Sequence, residues 1–190
     1  MIVMSIIELA NKYRDLMESK KKIKRAYKLA TEMMINRVVL KHINELMDVM
    51  NALYMLRDVI ERSITYDVFV DGLEWLEDGK RKKYGRAFYV TMGWLDDKYY
   101  AIHFEVGFDV KVNIARKGNE YKVMTIVHLG NNYLLNLEDG IERIITEIIN
   151  RAKDVLANKI NKLAENDKVL VDVLYNEVKR YIPDVAVEVV

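Results

Sequence analysis

All eight glycines of this 190-residue chain fall between Gly72 and Gly140, and the single proline is Pro183. The first 71 residues therefore lack the two residue types that most strongly interrupt regular structure. A breaker-free stretch of that length is suited to long helices. The glycine-punctuated centre is suited to turns between strands. The chain thus divides into helical, sheet-like and helical thirds.

The first helix has a legible start. Ser5 and Glu8 have the spacing of a capping box, and Met4 with Leu9 that of a hydrophobic staple. Ile6, Leu9, Tyr13 and Leu16 recur at helical spacing, and a second stripe runs through Ile23, Tyr27, Ala30 and Met34. The pattern resumes in shifted phase from Val39 to Ile60. An unbroken helix from Ile23 to Ile60 would be about 57 Å long, against a diameter near ~40 Å for a compact domain of this size. Either the helix breaks near Asn36–Val39 or it projects and needs a partner. A long striped helix suits a coiled coil, although Arg57 interrupts a strict heptad.

In the centre, Phe88, Val90, Met92 and Trp94 alternate, as do the even positions from Tyr100 to Ile114. Alternation of this kind marks half-buried strands. Leu95–Lys98 and Arg116–Glu120 read as hairpin turns. Tyr121–Leu129 is apolar on both faces, which predicts the most buried strand. Asn136 is placed to cap a helix whose face is Leu137, Ile141, Ile144 and Ile148. Asp167 is placed to cap a last helix stopped by Pro183. The tail after it alternates like an edge strand.

The expected fold is α+β: N-terminal long helices, a central antiparallel β-meander, and C-terminal helices packed on the sheet. Residues 1–65 form a helical, candidate coiled-coil region. Residues 66–190 form an α+β region with its sheet at 86–129 and helices at 137–182. The two are read as one structural unit.

Composition excludes several chemistries. There is no cysteine, so disulfides, thiolate catalysis and Cys-based metal sites are out. No apolar run reaches membrane-spanning length. The N-terminus lacks the basic segment of a signal peptide. A cytoplasmic protein is the simplest expectation. Absent Gln and Cys with 31% charged residues lean toward a thermophile, while ten Met lean the other way. No phosphate loop, nucleophile elbow or dinucleotide fingerprint is present, and no cofactor is expected.

The odd positions of Tyr100–Ile114 carry His103, Glu105, Asp109 and Lys111. Asp109-Val110-Lys111 resembles the D/E-x-K half of the PD-(D/E)xK nuclease pattern over three residues, with Asp97 upstream. Such chemistry needs paired carboxylates for a divalent cation and a lysine for the attacking water. Asp97 would lie about 26 Å from Glu105 along a strand, so a further acid would be required. His103, Glu105 and Asp109 with His128 form an alternative ligand set for one metal. A turn at Gly107 would bring Glu105 beside Asp109, whereas a straight strand would hold them about 13 Å apart. The competing reading is a solvated sheet face.

Two basic segments are candidates for nucleic-acid contact. Lys80, Arg81, Lys82, Lys83 and Arg86 follow Gly79 and read as a basic loop, with Tyr84 or Phe88 available to stack on a base. Lys20, Lys21, Lys22, Lys24 and Arg25 support them. Three functions compete. The leading one is a non-catalytic oligomeric interaction protein that contacts nucleic acid through these segments. The second is a metal-dependent nuclease using Asp109 and Lys111 with Glu105 or another acid. The third is a purely structural assembly subunit. A homo-oligomer and no membrane are expected.

Overall fold

The computed structural model describes residues 5–58, 62–95, 99–106, 110–118, 120–128, 130–165 and 167–184. Met4, Asp97, Gly107, Asp109, Leu129 and the tail beyond Asp184 lie outside the described residues, and with them the hydrophobic staple, the D-x-K pattern and the C-terminal edge strand. The expected α+β fold is present. Helix α1 spans Ile6–Lys41 and α2 spans Ile43–Met55. Strands follow at Ser63–Glu77 (β1), Lys80–Leu95 (β2), Tyr99–Val106 (β3), Val110–Lys117 (β4), Glu120–Val127 (β5) and Tyr133–Leu134 (β6). Helices α3 (Leu137–Ala164) and α4 (Lys168–Tyr181) complete the chain. The sheet runs β5-β4-β3-β2-β1-β6 with every neighbouring pair antiparallel.

The alternation decides which side of the sheet is dry. Ile64, Tyr66, Val68 and Val70 of β1, Phe88, Val90 and Met92 of β2, and Ile102 and Phe104 of β3 are buried on one face. Parts of α1, α2 and α3 pack on that face, against β5, β3 and β1 respectively, and α4 packs on α2 and α3. Ile141, Ile144, Ile145 and Ile148 of α3 are buried there, following the 3.6-residue period. The Tyr66 hydroxyl donates to the Ile148 carbonyl at 2.9 Å, pinning β1 to α3. Burial, opposed in part by Arg151, pushes that phenol well above its usual range.

Several expectations need correction. The sheet begins at Ser63 rather than residue 86, because Ser63–Glu77 is a strand. The basic segment 80–86 lies within β2 and is not a loop. Asp78 and Gly79 join the two strands, with φ of 51° and 74°. Both are left-handed, as the two-residue hairpin turn favoured by Asp-Gly requires. Strand β5, expected to be the most buried, is an edge strand with Tyr121, Met124 and Ile126 exposed. Asn136 precedes α3 in a left-handed conformation, and its side chain makes no capping hydrogen bond.

The first helix starts as its spacing predicts. The Glu8 amide donates to Ser5 Oγ at 3.2 Å and the Ser5 amide donates to Glu8 Oε2 at 3.0 Å. It does not break at Asn36–Val39. It runs 36 residues to Lys41, where His42 separates it from α2.

Candidate functional site

The length of α1, about 54 Å at 1.5 Å per residue, exceeds what the body can cover. Only its last turns are rooted. Ile35, Val38 and Val39 are buried. The Thr125 hydroxyl of β5 donates to Asn36 Oδ1 at 2.6 Å. Arg37 pairs with Glu138 at 3.3 Å, and Glu142 of α3 accepts from Lys41 at 3.1 Å and contacts His42 Nε2 at 3.1 Å. The Lys41 and His42 hydrogen bonds hold the Glu142 carboxyl below the usual carboxylate range.

The shaft before the root stands in solvent: each residue from Ser5 to Ala30 is exposed. The two apolar stripes of the sequence join on this shaft into one seven-residue register. Ile6, Tyr13, Lys20, Tyr27 and Met34 recur every seven residues. Leu9, Leu16, Ile23 and Ala30 each follow three residues later. From Ile6 to Tyr27 the apolar members of this seam are 53 to 84% exposed. Scattered exposed apolar residues need no explanation, but a continuous row marks an interaction surface. Lys20 hides the continuity in the sequence, because it interrupts the apolar pattern where the two stripes meet.

The same shaft carries Lys20, Lys21, Lys22, Lys24, Arg25 and Lys28. None of these six forms an ion pair with a described residue. At 100° per residue, Lys20, Lys24, Lys28, Lys21 and Arg25 share an arc of about 140°. That arc overlaps the direction of Ile35 and Val38, so the face packed on the body turns basic as it leaves it.

The second basic segment is placed differently. Register sets Glu77 opposite Lys80 and Glu74 opposite Lys83. Lys82 donates to Glu77 at 3.3 Å, and the Tyr84 hydroxyl donates to the same carboxylate. That phenol hydrogen bond, and after it Lys82, lower the Glu77 carboxyl, and the same bond with burial raises the Tyr84 phenol. Trp75 is stacked between Tyr84 and Phe88 at centroid distances of 5.6 and 6.4 Å, and Arg86 sits 5.1 Å over it. Phe88 is buried and Tyr84 is committed to Glu77 and Trp75. The exposed aromatics of this hairpin are Phe69 and Tyr89, on the uncovered face of the sheet. The acidic β1 partners thus offset much of the charge of β2. The two basic segments root in different places, α1 on edge strand β5 and the hairpin between β3 and β6.

The polar face of β3 and β4 is a cross-strand ladder. Val106 pairs with Val110, so the chain reverses between them, and Glu105 stands opposite Lys111. Glu105 lies 3.3 Å from His103 Nε2 and 3.5 Å from Lys111 Nζ, while His103 Nδ1 lies 2.7 Å from Asn113 Oδ1. His128 is four residues beyond Met124, the β5 residue level with Asn113. That places it about 13 Å along the strand. His128 lines a separate cavity of about 620 Å³ at the root of α1, with Tyr27, Thr31, Val127 and Leu134. The described residues hold no group of three His, Cys, Asp or Glu disposed to bind a metal ion. Among them, no helix is long and apolar enough to cross a membrane.

Comparison with protein-family models, with curated proteins and with solved structures finds no match to this chain.

Proposed function

We propose that this chain is a non-catalytic interaction protein that self-associates through α1, and that the basic block on the same helix contacts nucleic acid in the cytoplasm. The carrying observation is the free shaft of α1, a seven-residue apolar seam left in solvent while the rest of the molecule builds its own core. A seam of that spacing is buried by a second helix.

The test is the mass in solution. The wild-type protein is expected to sediment as a multiple of 22.3 kDa. Leu9→Glu/Leu16→Glu is expected to sediment as a single chain that still unfolds cooperatively, because both side chains lie outside the core. Each buried leucine contributes roughly 1.5 kcal/mol or more. Losing four per dimer weakens association by at least about a thousandfold. A wild-type monomer at high concentration would sink this reading.

The nucleic-acid part rests on charge. Cations with no carboxylate partner are available to phosphate, whereas those of β2 face Glu74 and Glu77. Affinity for a DNA or RNA duplex is expected to fall steeply with added salt. Lys20, Lys21, Lys22 and Lys24 changed together to Ala should reduce the log–log salt slope on duplex DNA by about 3.6. The corresponding change at Lys80, Lys82 and Lys83 should have the smaller effect. Absent or salt-insensitive binding would leave a purely structural assembly subunit.

A further inference from the structure

Resting on the self-association just proposed, we infer that two copies of α1 pair antiparallel, centred near residue 18, so that seam residue i meets residue 36 − i of the second copy. Three observations on the helix converge on this arrangement.

The first is the seam itself. Its members fall into complementary pairs about that centre: Ile6 with Ala30, Leu9 with Tyr27, Tyr13 with Ile23, and Leu16 with Lys20. Large residues meet smaller ones at three of these four levels. The single charged member lies against a leucine, along which its methylene stem can pack while the ammonium reaches water. The paired length, Ile6 to Ala30, is about 36 Å and coincides with the exposed part of α1.

The second is charge. Residues 20–28 hold six cations and no anion, whereas residues 6–18 hold Glu8, Asp15 and Glu18 against Lys12 and Arg14. A parallel pair in register would set Lys20 against Lys20 inside the seam and the whole basic block beside its copy. Like charges at such spacing repel. The antiparallel pair instead sets each basic block beside residues 8–16 of the other copy, where Glu8 and Asp15 balance Lys12 and Arg14, so that no basic block meets its own copy.

The third is the flanks. The positions bordering the seam are Ala10, Lys12, Met17, Ser19, Lys24 and Ala26. About residue 18, Lys12 faces Ala26 and Lys24 faces Ala10, while Met17 and Ser19 each meet their own copies. No flanking pair brings two charges together. The bodies, rooted at Ile35–Val39, are carried to opposite ends of the rod.

The native chain has no cysteine, so introduced thiols report geometry without interference. Leu9→Cys and Tyr27→Cys proteins are prepared separately, mixed under reducing conditions and then oxidised. The mixture is expected to give at least about tenfold more disulfide-linked dimer than either protein alone, since like positions lie about 27 Å apart and a disulfide cannot bridge that span. Linkage of Leu9→Cys to itself would overturn the arrangement in favour of a parallel pair. A dimeric wild type whose mixture does not link would overturn the register and leave self-association standing. A monomeric wild type would overturn both.

Discussion

Gly93→Ala is expected to lower the stability of the protein by about 3–5 kcal/mol. Gly93 has φ of 152° and lies in the middle of the sheet, paired with Ser63 on one side and Ala101 on the other. A β-carbon there would stand 2.6 Å from the Ser63 Cα and closer still to the Arg62 carbonyl oxygen. These are backbone atoms and cannot rotate away. Relief requires moving the start of β1, which breaks the 2.9 Å hydrogen bond from the Trp94 amide to Arg62. Domains are stable by only about 5–15 kcal/mol, so one methyl group would remove a large share. The measurement is the urea midpoint at unchanged slope. A shift worth less than about 1 kcal/mol would show that β1 does not approach β2 this closely.

Phe104→Ala is expected to cost about 3–5 kcal/mol, while His103→Ala beside it should cost less than about 1 kcal/mol. Phe104 is fully buried, level with Val90 of β2 and Val112 of β4. Removing its ring leaves a void that three strands and the helices above them cannot close. His103 points to the other face, where its partners Glu105 and Asn113 remain accessible to water. The contrast between adjacent residues tests the assignment of the two faces more sharply than either value alone. Equal costs would mean that the outer face is covered as well.

The two faces of β3 and β4 were legible because alternation is a local property of an extended backbone. The Ser5–Glu8 cap was legible for the same reason: its donors and acceptors lie within one turn. Strand β1 was equally available in principle. Ile64, Tyr66, Val68 and Val70 alternate, and Asp78-Gly79 is a strong hairpin signal. The density of charge from Asp71 to Arg86 masked both, because opposite charges spread over 16 residues read as a solvated loop until register pairs them. Burial of β5 was illegible on other grounds. Its two apolar faces fit a central strand, but position in the strand order is set by long-range pairing.

The candidate interface divides the same way. Helical spacing in the sequence identifies Ile6–Leu16 and Ile23–Met34 as apolar stripes and Lys20–Lys28 as a basic block. Periodicity follows from backbone geometry, so the residues alone specify it. Which part of a striped helix its own body covers is a different quantity. It depends on where β5 and α3 close against α1, and those contacts join residues about a hundred positions apart. Tertiary packing buries one face of the helix, at Ile35, Val38 and Val39, and leaves Ile6–Ala30 in water. It also sets Glu74 and Glu77 opposite the cations of β2 while leaving the α1 cluster unpaired with any described residue. Sequence alone determined the α+β class and the existence of the stripe; only the tertiary structure decided how much of that stripe is left for another molecule.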